Sequence, residues 1–145
     1  MSGLFDFVKD VGEKLGEGEN VAEQIRNKFV AEGNFNIPDL QINFLEGAVT
    51  LAGNAPTAED KEKAVLFAGN FSNVEKVHAD QLVAPDLSQE VQYHVIQAGD
   101  TLSKIANQYY GNANEYPKIV EANSGVIKDA DKIYPGQKIR IPKLV

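Results

Sequence analysis

The chain has 145 residues, 43% of them hydrophobic and 24% charged, the composition of a globular protein with one domain or two small ones. It contains no cysteine, which excludes disulfides, thiolate metal centres and cysteine nucleophiles and suits a reducing compartment. Its net charge of -7 argues against nucleic acid as the main partner, because phosphate binding needs a basic face. The charge is also uneven. Residues 1–90 hold 16 acids against 7 bases, or -9, and residues 91–145 hold 5 against 7, or +2, as two mutually attracting domains would.

The N-terminus carries Asp6 and Asp10 where an export signal would have a basic stretch and then an unbroken apolar run. No segment approaches the ~18 apolar residues that cross a bilayer. The expected location is therefore the cytoplasm, without stable membrane insertion. The spacing of Leu4, Phe5, Val8, Val11 and Leu15 predicts an amphipathic helix over 4–15. Its mixed charge suits packing on the next domain better than lying on a membrane. Residues 16–19 are an acidic, glycine-containing joint, so 1–19 form a leading helix and joint.

Asn20 and Glu23 predict a capped helix start, with Val21, Ile25 and Phe29 as its buried stripe and Gly33 as its stop. Leu40, Ile42 and Phe44 alternate with polar residues as on a half-buried strand. Glu46-Gly47 turns the chain, and Val49 and Leu51 continue on a second strand. Thr57 and Asp60 cap a second helix with Lys61 (by its stem), Ala64, Val65 and Ala68 inward, ended by Gly69-Asn70. A last strand over 74–83 places Val77, Ala79 and Val83 on one face. Residues 85–90 read as a linker.

Beyond it, Tyr93 and Val95 alternate around His94. Asp100 or Thr101 caps a helix whose stripe is Leu102, Ile105, Ala106 and Tyr109, and Gly111 ends it. Asn114 caps another helix with Tyr116, Ile119 and Val120 inward. Tyr134-Pro135-Gly136-Gln137 has the proline and glycine of a type II turn, and Ile139 and Ile141 complete a two-stranded sheet.

The stretch from Tyr93 to Pro142, with Tyr93-His94-Val95-Ile96-Gln97-Ala98-Gly99-Asp100-Thr101-Leu102 at its start and Ile133-Tyr134-Pro135-Gly136-Gln137 near its end, resembles a LysM domain, a βααβ module. Residues 20–84, with the order αββαβ and the stretches 46–53 and 69–74, resemble a BON domain. The expected fold is α+β: BON over 20–84, linker 85–90, LysM over 91–145. The LysM resemblance implies binding of N-acetylglucosamine-containing glycans such as peptidoglycan fragments, in a groove between Gly99, Asp100, Thr101, Leu102 and Val126, Ile127, Ile133, Tyr134.

With the starts Gly3-Leu4-Phe5-Asp6-Phe7-Val8 and Lys132-Ile133-Tyr134-Pro135, the whole chain resembles a family of bacterial cytosolic potassium-binding proteins that join these two domains. The resemblance implies selective K+ binding and a cation-dependent change in how the domains sit together, in a monomer. K+ is best held by neutral carbonyl oxygens, and helix C-termini offer them at the negative end of the dipole. The backbone carbonyls of Gly69, Asn70, Phe71 and Val74, joined by those of Val8 and Val11, are the candidate ligands. Enzymatic chemistry finds little support: no nucleophile elbow, P-loop or HExxH spacing occurs, and His78 and His94 fall on predicted strands. A two-domain adaptor for another protein is the remaining alternative.

Overall fold

The computed structural model describes residues 4–8, 12–16, 20–32, 37–85 and 91–143. In chain order the elements are β1 (Leu4–Asp6), α1 (Val21–Glu32), β2 (Gln41–Leu45), β3 (Ala48–Asn54), α2 (Ala58–Gly69) and β4 (Lys76–Val83). There follow β5 (Val91–Val95), α3 (Leu102–Tyr110), a 3-10 turn (Ala113–Glu115), α4 (Tyr116–Ala122) and β6 (Lys138–Pro142). A four-stranded sheet has the order β1-β4-β3-β2, and a two-stranded sheet pairs β5 with β6. The fold is thus α+β, with αββαβ followed by βααβ.

The start of the chain corrects the sequence expectation. Leu4–Asp6 is not helical but pairs antiparallel with β4, Phe5 opposite Val77. Leu4 and Phe5, which belonged to the expected helical stripe, thus lie on an edge strand, and Phe5 and Phe7 pack against the core. The amide of Phe7 continues the attachment by donating to the Glu75 carbonyl at 2.8 Å. Leu15 is buried as expected, while Val11, Gly33 and residues 86–90 lie outside the described residues.

The β2–β3 hairpin turns on Glu46 (φ 48°) and Gly47 (φ 82°), both left-handed as a type I′ turn needs. β3 and β4 are parallel and joined through α2, as a crossover requires. Their register runs Thr50 to His78 and then Ala52 to Gln81, so β4 carries one extra residue. This bulge inverts the alternation beyond it. Val77, Ala79 and Leu82 are consequently buried, and Val83, expected inside, is exposed.

Helix starts follow the predicted chemistry. Asn20 accepts from the Glu23 amide at 3.1 Å. Thr57 accepts from the Asp60 amide at 3.0 Å while its hydroxyl donates to the Asp60 carboxylate at 2.9 Å. Thr101, rather than Asp100, caps α3. Asn112 caps the 3-10 turn where Asn114 was expected to cap a helix, and Tyr116 is 39% exposed rather than turned inward. The Tyr134–Gln137 turn forms as expected, with Gly136 at φ 90° and the Gln137 amide on the Tyr134 carbonyl at 3.1 Å.

The larger core combines Ile25, Leu51, Leu66, Val77 and their neighbours, with Phe29, Phe67 and Phe71 stacked edge-to-face at 5.7 Å steps. The smaller core gathers Ile96, Leu102, Ile105, Ile119, Ile139 and Ile141. Val126, from the second half of the chain, belongs to the larger core, and Phe5 meets Tyr93 edge-on at 5.9 Å. Every residue of α2 from Glu62 to Gly69 is buried. A helix enclosed on all sides lies between two layers, here the four-stranded sheet and β6 with the loops around it.

Candidate functional site

α2 ends in a tight reversal. The Asn70 amide donates to the Leu66 carbonyl at 3.1 Å, and the Val74 amide closes on the Phe71 carbonyl at 3.0 Å. The segment before α1 lies along this loop: the Ser72 amide donates to the Glu13 carbonyl at 2.9 Å. The Asn73 side chain accepts from the Leu15 amide at 2.6 Å and donates to the Leu15 carbonyl at 3.2 Å. Two glycines permit the approach. A Cβ at Gly12, whose φ is +91°, would fall 2.1 Å from the Asn70 oxygen, and one at Gly69 would fall 2.0 Å from the Phe7 ring. Gly69, Asn70, Phe71 and Val74 are thus brought beside the N-terminal segment. Val8 follows the docked Phe7 and is 43% exposed, and Val11 lies outside the described residues. Among the described residues no cluster of three or more His, Cys, Asp or Glu is placed to ligate a metal.

The second half of the chain meets the same loop from the other side. The Asn70 side chain donates to the Lys138 carbonyl at 2.9 Å and accepts from the Lys138 amide at 3.0 Å, as a neighbouring strand would. The Tyr134 hydroxyl donates to the Asn70 carbonyl at 3.1 Å. Burial, with the Glu13 charge behind it, pushes that phenol up to about 12, so it stays a donor at neutral pH. The Lys138 ammonium reaches the Asp6 carbonyl and lies 5.0 Å from the Phe7 ring centre. Burial lowers its pKa against the opposing pull of Asp6.

The glycan-groove candidates separate. Gly99 and Thr101 are exposed in their loop, whereas Leu102, Ile127 and the half-buried Ile133 pack into the smaller core. Val126 and Tyr134 face the first half of the chain. Asp100 ties its loop together, accepting from the Gln97 amide at 2.8 Å and meeting His94 Nε2 at 3.0 Å, while His94 Nδ1 meets the Tyr109 hydroxyl at 2.9 Å.

Known proteins place these features. The BON domain model matches residues 18–85 and the LysM domain model residues 94–142. Potassium binding protein Kbp of Escherichia coli O6:H1 (strain CFT073) is 38% identical over 148 residues, covering 97% of this chain and 99% of that protein. The chain belongs to the Kbp family. An uncharacterized protein of Deinococcus radiodurans (strain R1) is 51% identical over 49 residues, which are 34% of this chain and 19% of the relative.

In this Kbp-family chain the junction between BON and LysM domains holds polar residues that sequence reasoning missed. Arg140 is 2% exposed and donates from Nε to Glu62, itself 3% exposed, at 2.8 Å. Its Nη1 donates to the Ala122 carbonyl at 3.0 Å and lies 3.8 Å from Glu59. Burial pushes the Glu62 carboxyl up, and the adjacent guanidinium pulls it back. Buried Asn123 holds the Arg140 backbone from both sides at 2.8 Å. Lys63 donates to Ser124 at 2.6 Å and pairs with Glu59 at 3.2 Å. One signal was available: Arg140 stands between Ile139 and Ile141 on a strand buried on both faces. No local pattern marks Glu62 or Lys63, because a second domain covers the side of α2 that solvent would otherwise meet.

The Asp100 contacts predict an acid-sensitive loop. The Gln97 amide first, then His94, hold its carboxyl below the ordinary 3.8. A depressed folded-state pKa gives stability that is present above the unfolded value and lost as pH falls through the folded one. Asp100→Ala is expected to cost about 1 kcal/mol at neutral pH, with the difference from wild type vanishing in strong acid. Urea denaturation under both conditions measures it, and a difference unchanged in acid would refute the carboxylate's role.

Proposed function

We propose that this protein binds potassium reversibly, holding K+ with the backbone carbonyls of Val8, Val11, Gly69, Asn70, Phe71 and Val74. The observation that carries the reading is the convergence on Asn70, where the N-terminal segment and the LysM domain both meet the loop that ends α2. The chemistry suits the ion: a large, weakly hydrated monovalent cation is matched by neutral carbonyls replacing its water shell, and the C-terminal end of α2 adds a negative dipole. The family supports it too, since the relative that matches this chain almost end to end is named for potassium binding.

Ion binding in this reading draws the BON and LysM domains together. Asn70 bonds to Tyr134 and Lys138 only when the LysM domain is docked, so ordering the loop favours the docked state. Linkage then requires that K+ bind that state more tightly than an open one. The protein acts as a monomeric sensor or buffer in the cytoplasm. No helix among the described residues is long and apolar enough to cross a membrane.

Isothermal titration with K+, Na+, Rb+ and Mg2+ tests the proposal. Heat with K+ that Na+ at equal ionic strength reproduces would overturn it. Removing residues 1–12 should abolish binding, whereas Ser72→Ala should leave it intact because the ligands are backbone atoms. A second reading, glycan binding, rests on the LysM match and the exposed Gly99–Thr101 loop; capture on peptidoglycan regardless of cation would favour it.

A further inference from the structure

Lys138 opens β6, and its amide and carbonyl are both taken by the Asn70 side chain. That fixes the residue beside the loop that ends α2. Its side chain then crosses to the start of the chain, where the ammonium donates to the Asp6 carbonyl and lies 5.0 Å from the centre of the Phe7 ring. A cation over a ring is held there by the ring's quadrupole. One residue of the LysM domain thus touches both parts that supply the candidate potassium ligands.

These contacts bound the distance from the charge to the ligands. Asp6 stands two residues before Val8, and each residue spans at most ~3.6 Å of chain. On the other side, the Phe7 ring packs so closely on Gly69 that a Cβ there would fall 2.0 Å from it. The ammonium therefore stands within roughly 10 Å of the carbonyls of Val8 and Gly69. Lys138 is half-buried, so salt screens it less than an exposed charge. Among the described residues it forms no ion pair. The Asp6 carboxylate is exposed and acts on it only from a distance, and Glu13, an acid beside the loop, is paired with Lys28 at 2.6 Å.

We infer that Lys138 sets the charge selectivity of the site, opposing divalent cations more than monovalent ones. Repulsion from one fixed positive charge doubles when the entering ion carries two charges. Carbonyl dipoles attract a divalent ion more strongly than a monovalent one, and the ammonium offsets that advantage. This role presupposes potassium binding at the carbonyls and adds the residue that senses ionic charge.

The test is competition between K+ and Ba2+, a divalent ion close to K+ in size, followed by calorimetry on the full chain at constant ionic strength. In Lys138→Met the preference for K+ over Ba2+ should fall about three- to tenfold, the effect of a unit charge at this range in a partly aqueous surrounding. Any loosening of the docked domains weakens both ions alike and leaves the ratio unmoved. Lys138→Gln keeps a donor for the Asp6 carbonyl without the charge. It should match Lys138→Met, and it decides alone if the methionine variant fails to fold. Lys138→Arg should keep the wild-type ratio. No Ba2+ binding by the neutral variants, or a wild-type ratio in Lys138→Gln, overturns the inference. A wild-type chain without any K+ response overturns potassium binding itself, whereas a K+ response with an unchanged ratio overturns only the role of Lys138.

Discussion

Arg140→Ala is expected to lower the unfolding free energy by about 3–5 kcal/mol, the range for breaking a buried ion pair by removing one partner. The reason is what stays behind. Glu62, 3% exposed, would keep a carboxylate in the junction without the guanidinium that compensates its burial. Glu62→Ala should also be costly, because among the described residues the Arg140 side chain would retain only the Ala122 carbonyl and a distant Glu59. Replacing both, as Glu62→Leu with Arg140→Met, should recover most of the loss, since packed apolar residues often match or exceed a buried pair. Guanidinium denaturation followed by circular dichroism gives all three values. Single variants costing under about 1 kcal/mol, the range of exposed pairs, would mean that the pair is solvated.

The second large effect is expected at the glycines of the N-terminal contact. Gly12→Ala places a Cβ 2.1 Å from a backbone oxygen of Asn70 at a φ of +91°. Strain of that kind costs about 1–3 kcal/mol, and a backbone atom cannot swing aside as a side chain can. Residues 12–15 should therefore detach from 70–73 while α2 and the sheet persist. In Gly69→Ala the methyl meets the Phe7 ring. Alanine favours the helix by up to about 1 kcal/mol, so α2 survives and Phe7 is displaced.

If the carbonyls of this junction hold K+, both variants should lose at least about tenfold in K+ affinity, or 1.4 kcal/mol. Gly99→Ala is the control: its φ is +88° but nothing lies within 4 Å of the added methyl, so it carries strain without a clash and should keep its affinity. Calorimetry reads affinity and amide spectra read detachment. Unchanged spectra in Gly12→Ala would show that the contact tolerates a side chain.

Much of the fold was legible because its signals are local. Thr57 with Asp60, Thr101, and Pro135-Gly136 each fix a cap or turn through their own chemistry. The alternation of Leu40, Ile42, Val49 and Leu51 marks the sheet face directly. The misses are non-local. A three-residue strand at the start of the chain takes its identity from β4, and in isolation its apolar spacing fits a helix equally well. The bulge that exposes Val83 depends on β3. The reversal at Gly69–Val74 could be read from its glycine and asparagine, but its contacts with Glu13, Tyr134 and Lys138 require chain separations of more than fifty residues. Glu62 and Lys63 look like surface residues until the other domain is in place.

The clamp at Asn70 engages the LysM domain through the amide and carbonyl of residue 138, groups that every amino acid except proline provides. Glu62, in contrast, needs an arginine opposite it. When modules of this kind are recombined, the first contact accepts nearly any incoming domain of the right shape, and the second rejects those without the matching charge. A chimera with a foreign LysM domain would thus succeed or fail at the residue aligned with Arg140, which makes that strand position the compatibility mark between the two halves.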